Sequence, residues 1–272
     1  MCEFMILENY KFNYCLINNL NKPIILFLHG FIGNLHEFDE AIEILAEEFS
    51  FLTVDLPGHG KTQVLGGDES YTMANTAHGV INLLDELKIQ QCFLVGYSMG
   101  GRLALYLTLH FPERFVKVVL ESASPGLETE TERLARVKSD AQIARKLARS
   151  ITREDFATFL LNWYIQPIFG AIKNHPKFEI MLESRLQNHP LELTKSLQFM
   201  GTGNQPSLWN KLNQNTIPLL LLTGEYDQKF IDINTEIAQK CQLAQLQIIN
   251  HAGHNIHLES TEEFVKKITE FI

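Results

Sequence analysis

The chain has 272 residues, 45% of them apolar and 20% charged, with 23 Lys and Arg against 32 Asp and Glu and a formal net charge of −9. That acidic surplus, with no run of five or more basic residues, excludes a surface built to bind nucleic acid or an anionic membrane. The composition is that of a globular chain rather than a disordered or fibrous one, and nowhere do about 18 apolar residues run together to span a bilayer.

The N-terminal segment is interrupted by Glu3 and Glu8 and has no basic lead into a long apolar core, so a secretory signal is not expected. Cys2, Cys15, Cys92 and Cys241 lie far apart with no CxxC pair, and reduced thiols acting as small hydrophobes are expected in a soluble, cytoplasmic protein. Short apolar runs bounded by Gly, Pro or Asp follow at Ile24–Leu28, Phe51–Val54, Phe93–Val95 and Val116–Leu120, the pattern of strands buried on both faces. Helical periodicity fills the gaps at Glu37–Phe49, Met73–Leu87 and Arg102–His110. This alternation predicts an α/β fold with a mostly parallel sheet. After Ser122 about 90 residues carry helical periodicity without a strand until Leu219–Leu222; Leu246–Ile249 and a closing helix over Glu262–Phe271 complete the chain. A single domain over residues 1–272, with a helical lid inserted over 123–215, is the expected organisation.

The densest chemical signal is Gly96-Tyr97-Ser98-Met99-Gly100, directly after the run that ends at Val95 and directly before a helical pattern. G-x-S-x-G between a strand and a helix is a nucleophile elbow. Small residues at 96 and 100 permit a turn too tight for a Cβ. The Ser98 hydroxyl is then held at a helix N-terminus, where amide donors and the helix dipole favour negative charge. A serine needs a base, and the base needs an orienting carboxylate. Among ten histidines, His254 lies just past the last predicted strand, and Asp227 lies just past Leu219–Leu222. Ligand sites in parallel sheets gather at such strand ends, and Ser98, Asp227, His254 is the chain order of this elbow type. His251 and His257 compete for the base and Glu225 for the acid. In Leu28-His29-Gly30-Phe31, Gly30 lets the backbone bend so that the Phe31 amide can join the Met99 amide in an oxyanion hole. His29 and the segment Asp55-Leu56-Pro57-Gly58-His59-Gly60 read as turn chemistry rather than catalysis. No metal site is expected.

His29-Gly30, the Asp55–Gly60 loop, the elbow and the acid and base loops together resemble the α/β-hydrolase fold. A narrower resemblance runs from Ile24 onward. Its elements are Gly96 to Arg102, then Ser124-Pro125-Gly126-Leu127 with Arg133, Arg136 and Ser139-Asp140, then Asn162-Trp163-Tyr164 with Gln166-Pro167, then Gly224 to Phe230 and Ala252 to Asn255. These are similar to the MenH family, the 2-succinyl-6-hydroxy-2,4-cyclohexadiene-1-carboxylate synthases of menaquinone and phylloquinone biosynthesis.

The resemblance implies a lyase on a hydrolase scaffold, needing no cofactor, that eliminates pyruvate from 2-succinyl-5-enolpyruvyl-6-hydroxy-3-cyclohexene-1-carboxylate. It implies that Ser98 removes a ring proton, that His254 holds the serine's own proton, and that Asp227 fixes the imidazole. The Phe31 and Met99 amides stabilise the developing charge. It also implies Arg102, Arg136 and Arg185 as ligands of a tricarboxylate, with Tyr97, Trp163 and Lys229 as further substrate contacts. Arg102 lies one helical turn beyond Ser98, a spacing that lets it point back to the pocket. Arg133, Arg145, Arg149 and Arg153 are expected on solvated faces. The triad by itself also fits a carboxylester, thioester or carbon–carbon bond hydrolase. A net charge of −9 does not oppose a small polyanion, because such a ligand reads only its pocket, where a basic lining is expected.

Overall fold

The structure, a computed structural model, describes residues 2–19, 22–170 and 172–272. The chain opens with strands β1 (Cys2–Leu7) and β2 (Tyr10–Ile17), followed by β3 (Ile24–Leu28), helix α1 (Asp39–Leu45), β4 (Ser50–Val54) and the two-residue β5 (Gln63–Val64). Then come α2 (Met73–Glu86), β6 (Cys92–Tyr97), α3 (Met99–His110) and β7 (Phe115–Glu121). Four helices follow, α4 (Glu130–Ala148), α5 (Arg153–Trp163), α6 (Phe178–Arg185) and α7 (Pro190–Met200), with no strand among the described residues of this stretch. The chain closes with β8 (Leu219–Gly224), α8 (Gln228–Lys240), β9 (Ala244–Ile249), α9 (Ile256–Glu259) and α10 (Thr261–Phe271).

One sheet takes all the strands in the order β1-β2-β4-β3-β6-β7-β8-β9, with β5 against β2. The pairs β1–β2 and β2–β4 are antiparallel, and every pair from β4 to β9 is parallel. The six apolar runs of the sequence are these six parallel strands. Their alternate side chains enter different cores: Leu26, Leu28, Leu94 and Leu120 pack under α2 and α3, whereas Ile25, Phe27, Val95 and Val119 pack under α1 and α10. Burial on both faces is why the inner strands are mostly apolar, whereas β9 at the sheet edge is only partly buried and carries Gln245 and Gln247.

Helices α4 and α5 each start at a capping box. The Thr129 hydroxyl accepts the Glu132 amide while Glu132 accepts the Thr129 amide, and Thr152 and Asp155 do the same. Leu147, Phe156, Leu160, Phe169 and Phe178 then bury a small core of their own around Ile32, which follows β3. The helical block is thereby fixed over the C-terminal ends of the parallel strands.

Strands β1, β2 and β5 form an antiparallel flap that the sequence reading did not place. Helix α1 begins at Asp39, and Glu37, expected at its start, is instead folded inward from the preceding loop, its side chain 2% exposed. Cys2 and Cys15 were expected to be free, yet they stand opposite each other across the β1–β2 ladder, Cα atoms 4.1 Å apart, joined by a disulfide. They lie thirteen positions apart in sequence, and only the hairpin register brings them together. Cys92 and Cys241 are free and buried. No helix among the described residues is long and apolar enough to cross a membrane.

Candidate active site

Ser98 occupies the turn between β6 and α3 at φ 49° and ψ −105°. This is a strained conformation for a residue with a side chain, and it is held by packing on both sides. A Cβ at Gly96 would lie 2.6 Å from the Gly100 carbonyl oxygen, and one at Gly100 only 2.1 Å from that of Leu28. The Ser98 amide donates to Glu121 O at 2.8 Å, tying the elbow to the end of β7. Met99 is the first residue of α3, where an amide has no acceptor within the helix, and Phe31 follows the neighbouring β3. Both line the same cavity as Ser98.

His254 and Asp227 arrive from the loops after β9 and β8. The Asp227 carboxylate accepts from His254 Nδ1 at 2.5 Å, and His254 Nε2 stands 3.0 Å from Ser98 Oγ. With Nδ1 committed as donor, Nε2 is left to accept the serine proton. His254 is 2% exposed and Asp227 1%. The rings of Phe230, Tyr97 and Phe169 surround the imidazole at 4.8, 5.4 and 5.6 Å between centroids. Glu259, which the sequence reading did not single out, braces the loop from below. Its carboxylate accepts the Gly253 amide at 3.0 Å and the Asn255 amide at 3.1 Å, on either side of His254.

The competitors fall elsewhere. The His251 side chain is exposed beside Tyr226 and Glu225, and His257 is buried among carboxylates away from Ser98. His29 joins two turns, donating from Nδ1 to Gly30 O at 2.8 Å and accepting the Leu56 amide on Nε2 at 3.0 Å. Asp55 accepts the Leu35 and Lys61 amides and the Asn13 side chain, each at 2.7 Å. These are the turn roles read from the sequence.

A cavity of about 400 Å³ opens beside Ser98, within the range of small-molecule sites. Arg102, Arg136, Arg185, Tyr97, Trp163 and Lys229 all line it. The lining is not uniformly basic as expected, because Glu128 and Glu132, both exposed, and the half-buried Glu236 share its mouth. The arginines lie deeper. Arg102 is 9% exposed and donates from Nη1 to Gln205 Oε1 at 2.7 Å and to Met200 O at 3.0 Å. No carboxylate pairs with it among the described residues. Burial, reinforced by the charge of Arg136, lowers its guanidinium to about 10. Arg136 is half-buried and donates to Asp140 at 2.7 Å. Lys229 is solvent-exposed overall, but partial desolvation of its ammonium, followed by the charge of Arg136, lowers its pKa. Arg133 donates to Gly203 O at 3.3 Å, Arg153 pairs with Glu183 at the surface, and Arg145 and Arg149 are exposed.

Arg185 departs from the expectation of a free anion receptor. It is buried and already paired with Glu37, while its Nε donates to Tyr164 Oη at 3.1 Å. Glu37 Oε1 also accepts from His257 Nε2 at 3.1 Å, and His257 Nδ1 donates to Glu121 at 2.8 Å. With both ring nitrogens on carboxylates, His257 is an imidazolium. Burial opposes its charge, but Glu121 and Glu37 outweigh burial and raise it to about 9. Burial likewise opposes ionisation of Glu37, and Arg185 and His257 override it, lowering the carboxyl to about 2. Two cations and two anions thus alternate beneath the cavity. Nothing in the sequence alone marks this quartet, because its members come from four separate segments.

The sequence profile of the alpha/beta hydrolase fold matches residues 23–261. A protein of Bacillus subtilis (strain 168), provisionally named 2-succinyl-6-hydroxy-2,4-cyclohexadiene-1-carboxylate synthase, is 35% identical over 91% of this chain and 89% of its own length. The enzyme of that name from Citrobacter koseri is 33% identical over 92% and 94%. The solved structure of MenH from S. aureus superposes with a TM-score of 0.87 at 31% identity, covering 97% of this chain and 98% of that one. The chain belongs to the α/β-hydrolase fold family and, within it, to the 2-succinyl-6-hydroxy-2,4-cyclohexadiene-1-carboxylate synthases.

Proposed function

We propose that the chain is a lyase that eliminates pyruvate from 2-succinyl-5-enolpyruvyl-6-hydroxy-3-cyclohexene-1-carboxylate, a step of menaquinone or phylloquinone biosynthesis. The observation that carries this reading is Arg102, a buried guanidinium on the cavity wall one turn from Ser98 and without a carboxylate partner among the described residues. Buried charges are ordinarily paired, so such a cation calls for an anionic ligand. The substrate brings three carboxylates, and Arg102, Arg136 and Arg185 are within its cavity, with Tyr97, Trp163 and Lys229 as further contacts.

In this reading Ser98, His254 and Asp227 form the catalytic triad and work as a base. Ser98 Oγ takes the ring proton beside the succinyl ketone while its own proton passes to His254 Nε2, and Asp227 stabilises the resulting imidazolium. The freed electron pair forms the new ring double bond, the existing one shifts by one position, and the bond from the ring to the enolpyruvyl oxygen breaks. Protonation of the released enolate gives pyruvate. The Phe31 and Met99 amides stabilise charge on the ketone oxygen as the proton leaves, an effect worth roughly 10²- to 10³-fold per donor where it has been measured. The chemistry uses no cofactor. Helices α4 to α7, within residues 123–215, act as the lid that screens this step from water.

Acyl-transfer chemistry would use the same triad with Ser98 as nucleophile. Incubation of the purified protein with the cyclohexene substrate tests the choice: pyruvate release with rising diene absorbance supports the lyase. Silence in both, together with rapid turnover of simple esters and labelling of Ser98 by an organophosphonate, would place the chain among the hydrolases.

A further inference from the structure

Arg185 cannot serve a carboxylate ligand unless its guanidinium is held at the cavity wall, and the structure shows what holds it. Glu37, from the loop after β3, accepts from Arg185; His257, from α9, donates from Nε2 to the same Glu37 oxygen at 3.1 Å; Glu121, from the end of β7, takes the other His257 nitrogen at 2.8 Å and the His257 amide at 3.0 Å. The four side chains are 4, 2, 2 and 0% exposed for Arg185, Glu37, His257 and Glu121. Tyr97 packs its ring edge against both His257 and His254, at 4.8 and 5.4 Å, so the quartet adjoins the Ser98 chain without sharing a hydrogen bond with it.

We propose that Glu37 is a positioning residue, locked in place by His257 and Glu121, which holds the Arg185 guanidinium on the cavity wall as a receptor for one substrate carboxylate. Three features carry this. Arg185 comes from α6 of the helical block, whereas Glu37, His257 and Glu121 come from the loop after β3, from α9 and from β7, all outside that block. The pair is therefore a point where a cavity-lining side chain of the block is keyed to the scaffold. Nε and Nη2 of Arg185 are engaged by Tyr164 and Glu37, so its planar fork is fixed before any ligand arrives and loses little freedom on binding. The quartet balances two positive against two negative charges, so the buried arginine is retained without a net charge beneath the cavity. Without Glu37, the same guanidinium keeps only its Tyr164 contact of the two that fix it, and its neighbour His257 loses one acceptor.

The inference rests on Arg185 being a carboxylate contact, so its test uses a probe that needs no turnover. Succinate binding is followed by tryptophan fluorescence, since Trp163 and Trp209 both line the cavity. Wild type, Glu37→Gln, Arg185→Gln and the double variant are compared, each checked for fold by circular dichroism; the double variant keeps the buried charges balanced should either single variant unfold. Each single change is expected to weaken succinate tenfold or more, and the double variant to bind no more weakly than Arg185→Gln alone, because Glu37 acts only through Arg185. In turnover, Glu37→Gln is expected to raise KM by far more than it lowers kcat. Multiplied losses in the double variant, succinate affinity indifferent to Glu37→Gln or to Arg185→Gln, or absence of succinate binding to the wild type would each overturn the proposal. A wild type that shows this coupling but releases no pyruvate would instead reject the lyase reading and leave the positioning role standing.

Discussion

Replacing Arg102 by methionine removes the charge of a buried cation on the cavity wall while keeping a chain of similar length. Two effects separate. On the protein side, the Met200 carbonyl and the Gln205 side-chain oxygen lose their donor, a cost of about 1–3 kcal/mol for groups left unpaired in the interior. Against this, a buried guanidinium with no carboxylate partner disappears, and its burial is itself unfavourable, as its lowered pKa of about 10 records. The two roughly offset, so a thermal-unfolding midpoint within a few degrees of the wild type is expected. On the substrate side, one charge-assisted hydrogen bond to a carboxylate is lost, about 1.5–3 kcal/mol. At about 1.4 kcal/mol per tenfold this lowers kcat/KM roughly 10- to 150-fold. Pyruvate formation coupled to its enzymatic reduction gives both constants, and a thermal melt gives the stability. A folded Arg102→Met variant with wild-type kcat/KM would refute the assignment of this arginine to the ligand.

Other expectations follow from the same geometry. Ser98→Ala should lower turnover by at least about a thousandfold while the melt is preserved, because among the described residues the hydroxyl's one partner is His254; residual rates within tenfold of wild type would remove Ser98 from the reaction. Since His257 is raised from 6.5 to about 9, the stability its charge contributes is fully present below pH 6.5 and lost as pH climbs through 9, about 3 kcal/mol in all. Urea unfolding across that window should show the decline, and a His257 ring that titrates near 6.5 by NMR would contradict it. Alkylation of the denatured, unreduced protein should mark two cysteines, Cys92 and Cys241, and reduction should raise the count to four; four marks without reductant would show that Cys2 and Cys15 are unbonded.

What could be read from the chain alone was whatever is local. The inner parallel strands were legible because burial on both faces makes them near-continuous apolar runs, and Ser98 because the elbow compresses strand, turn and helix start into five residues. His254 and Asp227 were reachable through chain order and strand ends. Glu37, Glu121 and Glu259 were not, since a single glutamate beside a helical pattern or at the end of a strand looks like surface decoration until the fold turns it inward. Arg185 shows the converse: its place on the cavity was legible, its prior engagement with Glu37 was not, because that pair joins residues 148 positions apart. The Cys2–Cys15 bond was hidden for the same reason on a smaller scale, as only the register of β1 on β2 sets the two residues face to face.

The central claim is that the Ser98–His254–Asp227 chain works here as a base for elimination. It is tested most directly by the stoichiometry of one reaction, the purified wild type acting on 2-succinyl-5-enolpyruvyl-6-hydroxy-3-cyclohexene-1-carboxylate. One pyruvate should appear for each diene formed, and both signals should vanish together in Ser98→Ala. Consumption of the substrate without the diene, or diene formation undiminished in Ser98→Ala, would contradict it.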